Sequence, residues 1–171
     1  EERSADRDAS AAAHGHRAGF SHRPQDIHQG HGESQEMPEG TTTRNFTLTV
    51  RYAETDAQGV VHHANYLTWF EEGRSEFLRQ QGLHYSDMER DGFFVIVARA
   101  TVDYRAPSYY EDRITIATTL VKGRGRMLEF AYQATNQDGI LVAEGRTRHL
   151  VLDRKRRLVS MPDRFRQLLL E

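Results

Sequence analysis

At 171 residues the chain has the mass of one domain with a substantial core and too little for two. A formal net charge of −2 argues against nucleic-acid binding through overall charge, and the absence of cysteine removes disulfides, thiolate metal sites and a cysteine nucleophile. No apolar run approaches the roughly 20 residues that span a bilayer, and no apolar leader core opens the sequence, so a soluble, cytoplasmic protein without a membrane span is expected.

Residues 1–43 stand apart from the rest. Their only large apolar side chains are Phe20, Ile27 and Met37, and five of the nine histidines lie there (His14, His16, His22, His28, His31). This stretch carries a net −4, leaving +2 for the remainder. It has too little apolar surface to offset the entropy of ordering it, so a disordered or leader-like extension is expected, with the folded domain over 44–171. Its histidines have no fixed ligand spacing.

From Thr43 the pattern changes. Phe46, Leu48 and Val50 alternate with polar residues, as in a half-buried strand. From about Ala64 to Gln81 the period becomes helical, with Tyr66, Phe70, Gly73 and Phe77 on one stripe and Gly82 placed to stop the helix. Glycine inside a buried stripe costs roughly 1 kcal/mol against alanine, which points to a close approach to a sheet. Strands are then expected over 93–106, 113–122, 127–135 and 140–153, the last three separated by the turns KGRGR and NQDG. PDRFRQLLLE reads as a final amphipathic helix beginning at Pro162. Strand, long helix and four strands in succession make an α+β fold: a five-stranded antiparallel sheet with one long helix on one face. Its open edges favour self-association as at least a dimer.

Between the first strand and the helix lies TDAQGVVHHANY. It sets a carboxylate, Asp56, and two imidazoles, His62 and His63, at a helix entrance, where main-chain N–H groups lack internal partners and carry partial positive charge. Such an end stabilises an anion or a developing oxyanion. With a carboxylate as base or nucleophile, that suffices to hydrolyse an activated acyl group such as a thioester. On spacing alone Asp56 could equally organise a turn, Asn65 could cap the helix, and the histidines could be surface residues. No third ligand at recognisable spacing supports a metal site, and no nucleophile elbow supports a serine triad.

RYAETDAQGVVHHANYLTWFEEGRSEFLRQQG, followed by DYRAPSYYEDRITIATTLVKGRGRMLEFAYQATNQDGILVAEGRTRHLVLD, resembles the small bacterial acyl-CoA thioesterases of the 4-hydroxybenzoyl-CoA thioesterase family, over roughly residues 44–153. The resemblance implies a hotdog fold, with the sheet curled around the long helix, assembly as a homodimer or homotetramer, an active site at the dimer interface and no cofactor. It implies Asp56 as catalytic base or nucleophile and the main-chain N–H of His63 as oxyanion donor, the His63 side chain helping to orient the thioester. Gly59 would serve the turn, Asn65 would fix the helix entrance and Tyr66 would pack beside the acyl group. His62 departs from the aromatic residue usual at its position. Phosphates of an acyl-CoA substrate need cations, for which Lys122, Arg124 and Arg126 of the KGRGR turn and the same-face pair Arg146 and Arg148 are candidates, Arg126 foremost and acting across a dimer. The expected activity is hydrolysis of acyl-CoA to free acid and CoA. Alternatives are a 1,4-dihydroxy-2-naphthoyl-CoA thioesterase, an acyl-carrier-protein thioesterase, and a non-catalytic acyl-CoA-binding module.

Overall fold

The computed structural model describes residues 42–170, so the expected N-terminal extension lies, but for its last two residues, outside the described part. The elements run β1 (Thr43–Thr49), α1 (Asn65–Gln80), α2 (Tyr85–Arg90), β2 (Phe94–Tyr104), β3 (Arg113–Arg124), β4 (Met127–Thr135), β5 (Leu141–Leu152) and α3 (Asp163–Leu170), with a short 3-10 turn at Tyr52–Glu54. All five strands join one antiparallel sheet in the order β1-β3-β4-β5-β2. The chain leaves the sheet after β1, passes through α1 and α2, and returns at the far edge as β2.

Alternation along the strands sends Ile114, Ile116, Phe130, Tyr132 and Val151 to one face, where they are buried. The apolar stripe of α1 packs onto that face: Phe70 stacks on Tyr132 at 4.6 Å and Phe77 meets Phe130 edge-on at 5.7 Å. Gly73 makes this approach possible. A Cβ there would lie 2.8 Å from both Ile116 Cγ2 and Thr118 Oγ1. The opposite sheet face is polar, with hydroxyl pairs Thr43–Thr119 and Thr47–Thr115 at 2.7 and 3.0 Å and an Arg105–Glu144 ion pair.

The helical content exceeds one long helix. α2 is six residues with a single buried apolar side chain, Met88, too short for any periodicity to show. α3 begins one residue later than expected: Pro162 precedes it and offers its carbonyl to the N–H groups of Phe165 and Arg166. Phe165 and Leu169 of this helix are buried, and Phe165 meets Phe93 at 6.4 Å.

One buried chain of polar groups runs through the core. Arg74 Nε donates to Tyr85 Oη at 2.7 Å and Nη1 to Tyr132 Oη at 3.4 Å. The Tyr132 hydroxyl pairs with Thr147 Oγ1 at 2.7 Å, which in turn meets His149 Nε2 at 2.8 Å. No described helix is long and apolar enough to cross a membrane.

Candidate active site

The stretch TDAQGVVHHANY folds as a tight loop. Thr55 and Val61 form an isolated antiparallel bridge, and the Asp56 N–H donates to the Val60 carbonyl at 2.9 Å. Gly59 closes the turn with φ +78°, donating its N–H to the Asp56 carbonyl at 2.9 Å. One Asp56 carboxylate oxygen accepts from the Gln58 N–H at 2.8 Å, and the side chain remains half-exposed. Asp56 therefore does organise a turn, as its local chemistry allows, while a second carboxylate oxygen is left over.

Glu54 fixes this loop to the helix. Its buried carboxylate accepts from the Arg51 N–H at 2.8 Å, from Arg51 Nη2 at 2.9 Å and from Trp69 Nε1 at 3.1 Å. Burial works to raise the Glu54 carboxyl, and the hydrogen bonds from the Arg51 side chain, its main chain and Trp69 outweigh it, holding the group below its ordinary value. The Glu54 carbonyl accepts from the His62 N–H at 2.8 Å and from Asn65 Nδ2 at 2.7 Å. Asn65 thus acts as a donor at the helix entrance and not as an accepting cap; α1 is preceded by Ala64, with no side-chain cap.

Asp56, His63 and Tyr66 line one cavity of about 370 Å³ together with Tyr104, Arg105 and Pro107. Among the described residues the main-chain N–H of His63 has no acceptor, whereas its carbonyl accepts from Tyr104 Oη at 3.0 Å. Tyr66 Oη pairs with Ser108 Oγ at 3.2 Å, and the Ser108 carbonyl accepts from the Val61 N–H at 2.9 Å. Burial pushes the Tyr66 phenol up, so it stays protonated near neutrality. Asp56, the His63 that precedes a sixteen-residue helix, and two tyrosines thus line one concavity.

Gly59, His62, Asn65, Arg124 and Arg126 do not line this cavity in a single chain. Gly59 and Asn65 shape its loop. His62 is exposed, accepts from the Ala64 N–H through Nδ1 at 3.3 Å, and lies 4.1 Å from the His63 ring. Among the described residues no group of three or more His, Asp or Glu side chains could hold a metal. Arg124 and Arg126 are exposed at the β3–β4 turn, and Arg146 and Arg148 bind Glu129 on the polar sheet face. Sequence reasoning passed over Glu54, Tyr104, Arg105 and Ser108. Glu54 had a signal, an acid three residues after Arg51, but the cavity's second wall comes from a segment some fifty residues away that only the fold brings near.

Residues 50–169 match the family model of the thioesterase-like superfamily. The chain is 33% identical over 104 residues to the acyl-CoA thioester hydrolase YbgC of Escherichia coli O157:H7, covering 61% of this chain and 78% of that one. It is 30% identical over 125 residues to a 1,4-dihydroxy-2-naphthoyl-CoA hydrolase of Thermosynechococcus vestitus, covering 72% and 86%. The crystal structure of a hypothetical protein from Thermus thermophilus superposes with a TM-score of 0.70 at 36% identity, covering 73% of this chain and 95% of that one. With a match over this length, the chain belongs to the thioesterase-like superfamily.

Proposed function

We propose that the protein hydrolyses acyl-CoA thioesters to free acid and CoA, with Asp56 as general base or nucleophile and the His63 main-chain N–H as oxyanion donor. The observation that carries this reading is that Asp56 and His63, whose main-chain N–H has no acceptor among the described residues, line the same cavity. A thioester carbonyl polarised by that N–H gains negative charge on oxygen as it is attacked, and a fixed donor at a helix entrance stabilises that charge more than the ground state. The thiolate leaves without needing a proton, so no separate acid is required. Relatives named as acyl-CoA thioester hydrolases support the same assignment.

Two tyrosine rings, Tyr66 and Tyr104, stand 5.2 Å apart at 77° on the cavity wall. They favour a second reading within the same chemistry, an aromatic acyl group, consistent with the relative named as a 1,4-dihydroxy-2-naphthoyl-CoA hydrolase. On either reading the sheet and α1 form a hotdog fold, and the free edges of β1 and β2 support self-association.

The test is thiol release from a panel of aliphatic and aromatic acyl-CoAs, with carrier-protein-borne acyl groups beside them. Turnover by the wild type and a loss of about 10²–10⁴-fold in kcat for Asp56→Asn are expected. No turnover across the panel, or an unimpaired Asp56→Asn, sinks the proposal. A rapid-quench search for an acyl-enzyme separates nucleophile from base.

A further inference from the structure

A second concavity, of about 150 Å³, opens on the polar sheet face between β2, β4 and β5 and is lined by Arg99, Thr101, Glu129, Arg146 and Arg148. It shares no residue with the Asp56 cavity. Glu129 is nearly buried and binds Arg146 Nη1 at 3.4 Å and Arg148 Nε at 3.1 Å. Arg146 and Arg148 therefore share one carboxylate, and Arg99 lines the same concavity without an ion pair among the described residues.

The strand register sharpens the point. Arg99 of β2 stands directly opposite Arg148 of β5. Like charges in that relation destabilise a sheet, and ordinary surfaces avoid them. The pairing arises from a bulge between Val97 and Arg99: Val97 pairs with the core residue His149, and continuing that register would send Arg99 to the α1 face. The extra residue flips Arg99 onto the polar face beside Arg148, which is how bulges re-aim side chains. Among the described residues Arg99 makes no ion pair, and Arg148 meets Glu129 through Nε alone, its terminal nitrogens having no acceptor there.

We propose that this arginine cluster is a phosphate-binding site, with the forks of Arg99 and Arg148 gripping the anion and Glu129 holding the arginines in place. Planar guanidinium forks match phosphate oxygens bidentately, and a bound anion offsets the repulsion that the register builds in. The volume is several times the roughly 30 Å³ share of one liquid water, enough for a phosphate group at an open surface. Arg146 and Arg148 are among the cations put forward above for acyl-CoA phosphates, so a nucleotide-borne phosphate here rests on the thioesterase reading, whereas binding of a free phosphate needs no turnover and does not.

The experiment is calorimetric titration and thermal unfolding of the full chain with inorganic phosphate, pyrophosphate and adenosine 3′,5′-bisphosphate, against sodium chloride at matched ionic strength. Saturable binding and a rise in melting temperature beyond that in chloride are expected, weakened about tenfold by Arg99→Gln and less by Arg99→Lys, which keeps the charge and loses the fork. Stronger binding of the bisphosphate than of the inorganic ions identifies a phosphate carried on a nucleotide; equal binding identifies a free phosphate. In chloride, Arg99→Gln should melt no lower than the wild type, because it relieves the Arg99–Arg148 repulsion, so lost binding cannot be ascribed to misfolding. Equal shifts in phosphate and chloride, or phosphate binding unchanged in Arg99→Gln, overturn the site. So does a change of sedimenting mass in Arg99→Gln with binding intact, which would make the cluster an interface between copies.

Discussion

At the scale of single residues, the candidate site depends on main-chain groups held by side chains. Tyr104 is the clearest case, since its hydroxyl donates to the carbonyl of His63, whose main-chain N–H is the proposed oxyanion donor. Tyr104→Phe keeps the ring and removes that donor; kcat for thioester hydrolysis should fall several-fold, about 1 kcal/mol in transition-state stabilisation, with KM and melting temperature nearly unchanged. Steady-state kinetics and a melt on the same preparation check it. Glu54→Gln attacks the loop from below. It removes the charge that accepts three donors and should cost roughly 1–3 kcal/mol in stability, read by urea unfolding. Asp56 itself was legible, because an acid before a glycine turn and a helix start is visible in the order of residues. Tyr104 was not, because nothing in one dimension says that β2 ends beside His63.

At the scale of elements, the contact between α1 and the sheet is set by Gly73. Alanine is a better helix former by roughly 1 kcal/mol, yet its Cβ would press on Ile116 and Thr118 at 2.8 Å. Overpacking of this kind costs about 1–3 kcal/mol, so Gly73→Ala should lower stability in spite of the helix propensity gained, as a denaturant melt will show. The neighbouring Thr118 hydroxyl is buried with no partner among the described residues. Thr118→Val keeps the shape and removes the unpaired group, and should raise stability by about 1 kcal/mol in the same assay. The glycine in the helical stripe signalled the close approach in advance. The orphan hydroxyl gave no such signal, since alternation predicts which face a threonine takes and not what it meets there.

At the scale of the whole molecule, the buried run from Arg74 to His149 links α1, α2, β4 and β5 and makes stability depend on pH. Burial, and then the positive charge of Arg74, lower the His149 pKa from 6.5 to about 4. The unfolded chain therefore takes up this proton first. The contribution is complete above about pH 6.5 and is lost as pH falls toward 4, about 3 kcal/mol in all. Urea unfolding at pH 7.5, 6 and 5 should show the decline, and His149→Gln should flatten that part of the profile even though it lowers stability at pH 7.5.

Local order determined a good deal on its own. β4 spans Met127–Thr135 as periodicity implies, and Tyr66, Phe70, Gly73 and Phe77 form the buried stripe of α1, because both patterns repeat over enough residues to register. The Asp56 turn and the helix behind it were equally local. Tertiary structure alone decided the strand order β1-β3-β4-β5-β2, the far wall of the Asp56 cavity and the bulge that turns Arg99 outward. Each of these depends on which strand lies beside which. Residues distant in the chain become neighbours only when the sheet closes over α1, and sequence spacing carries no term for that.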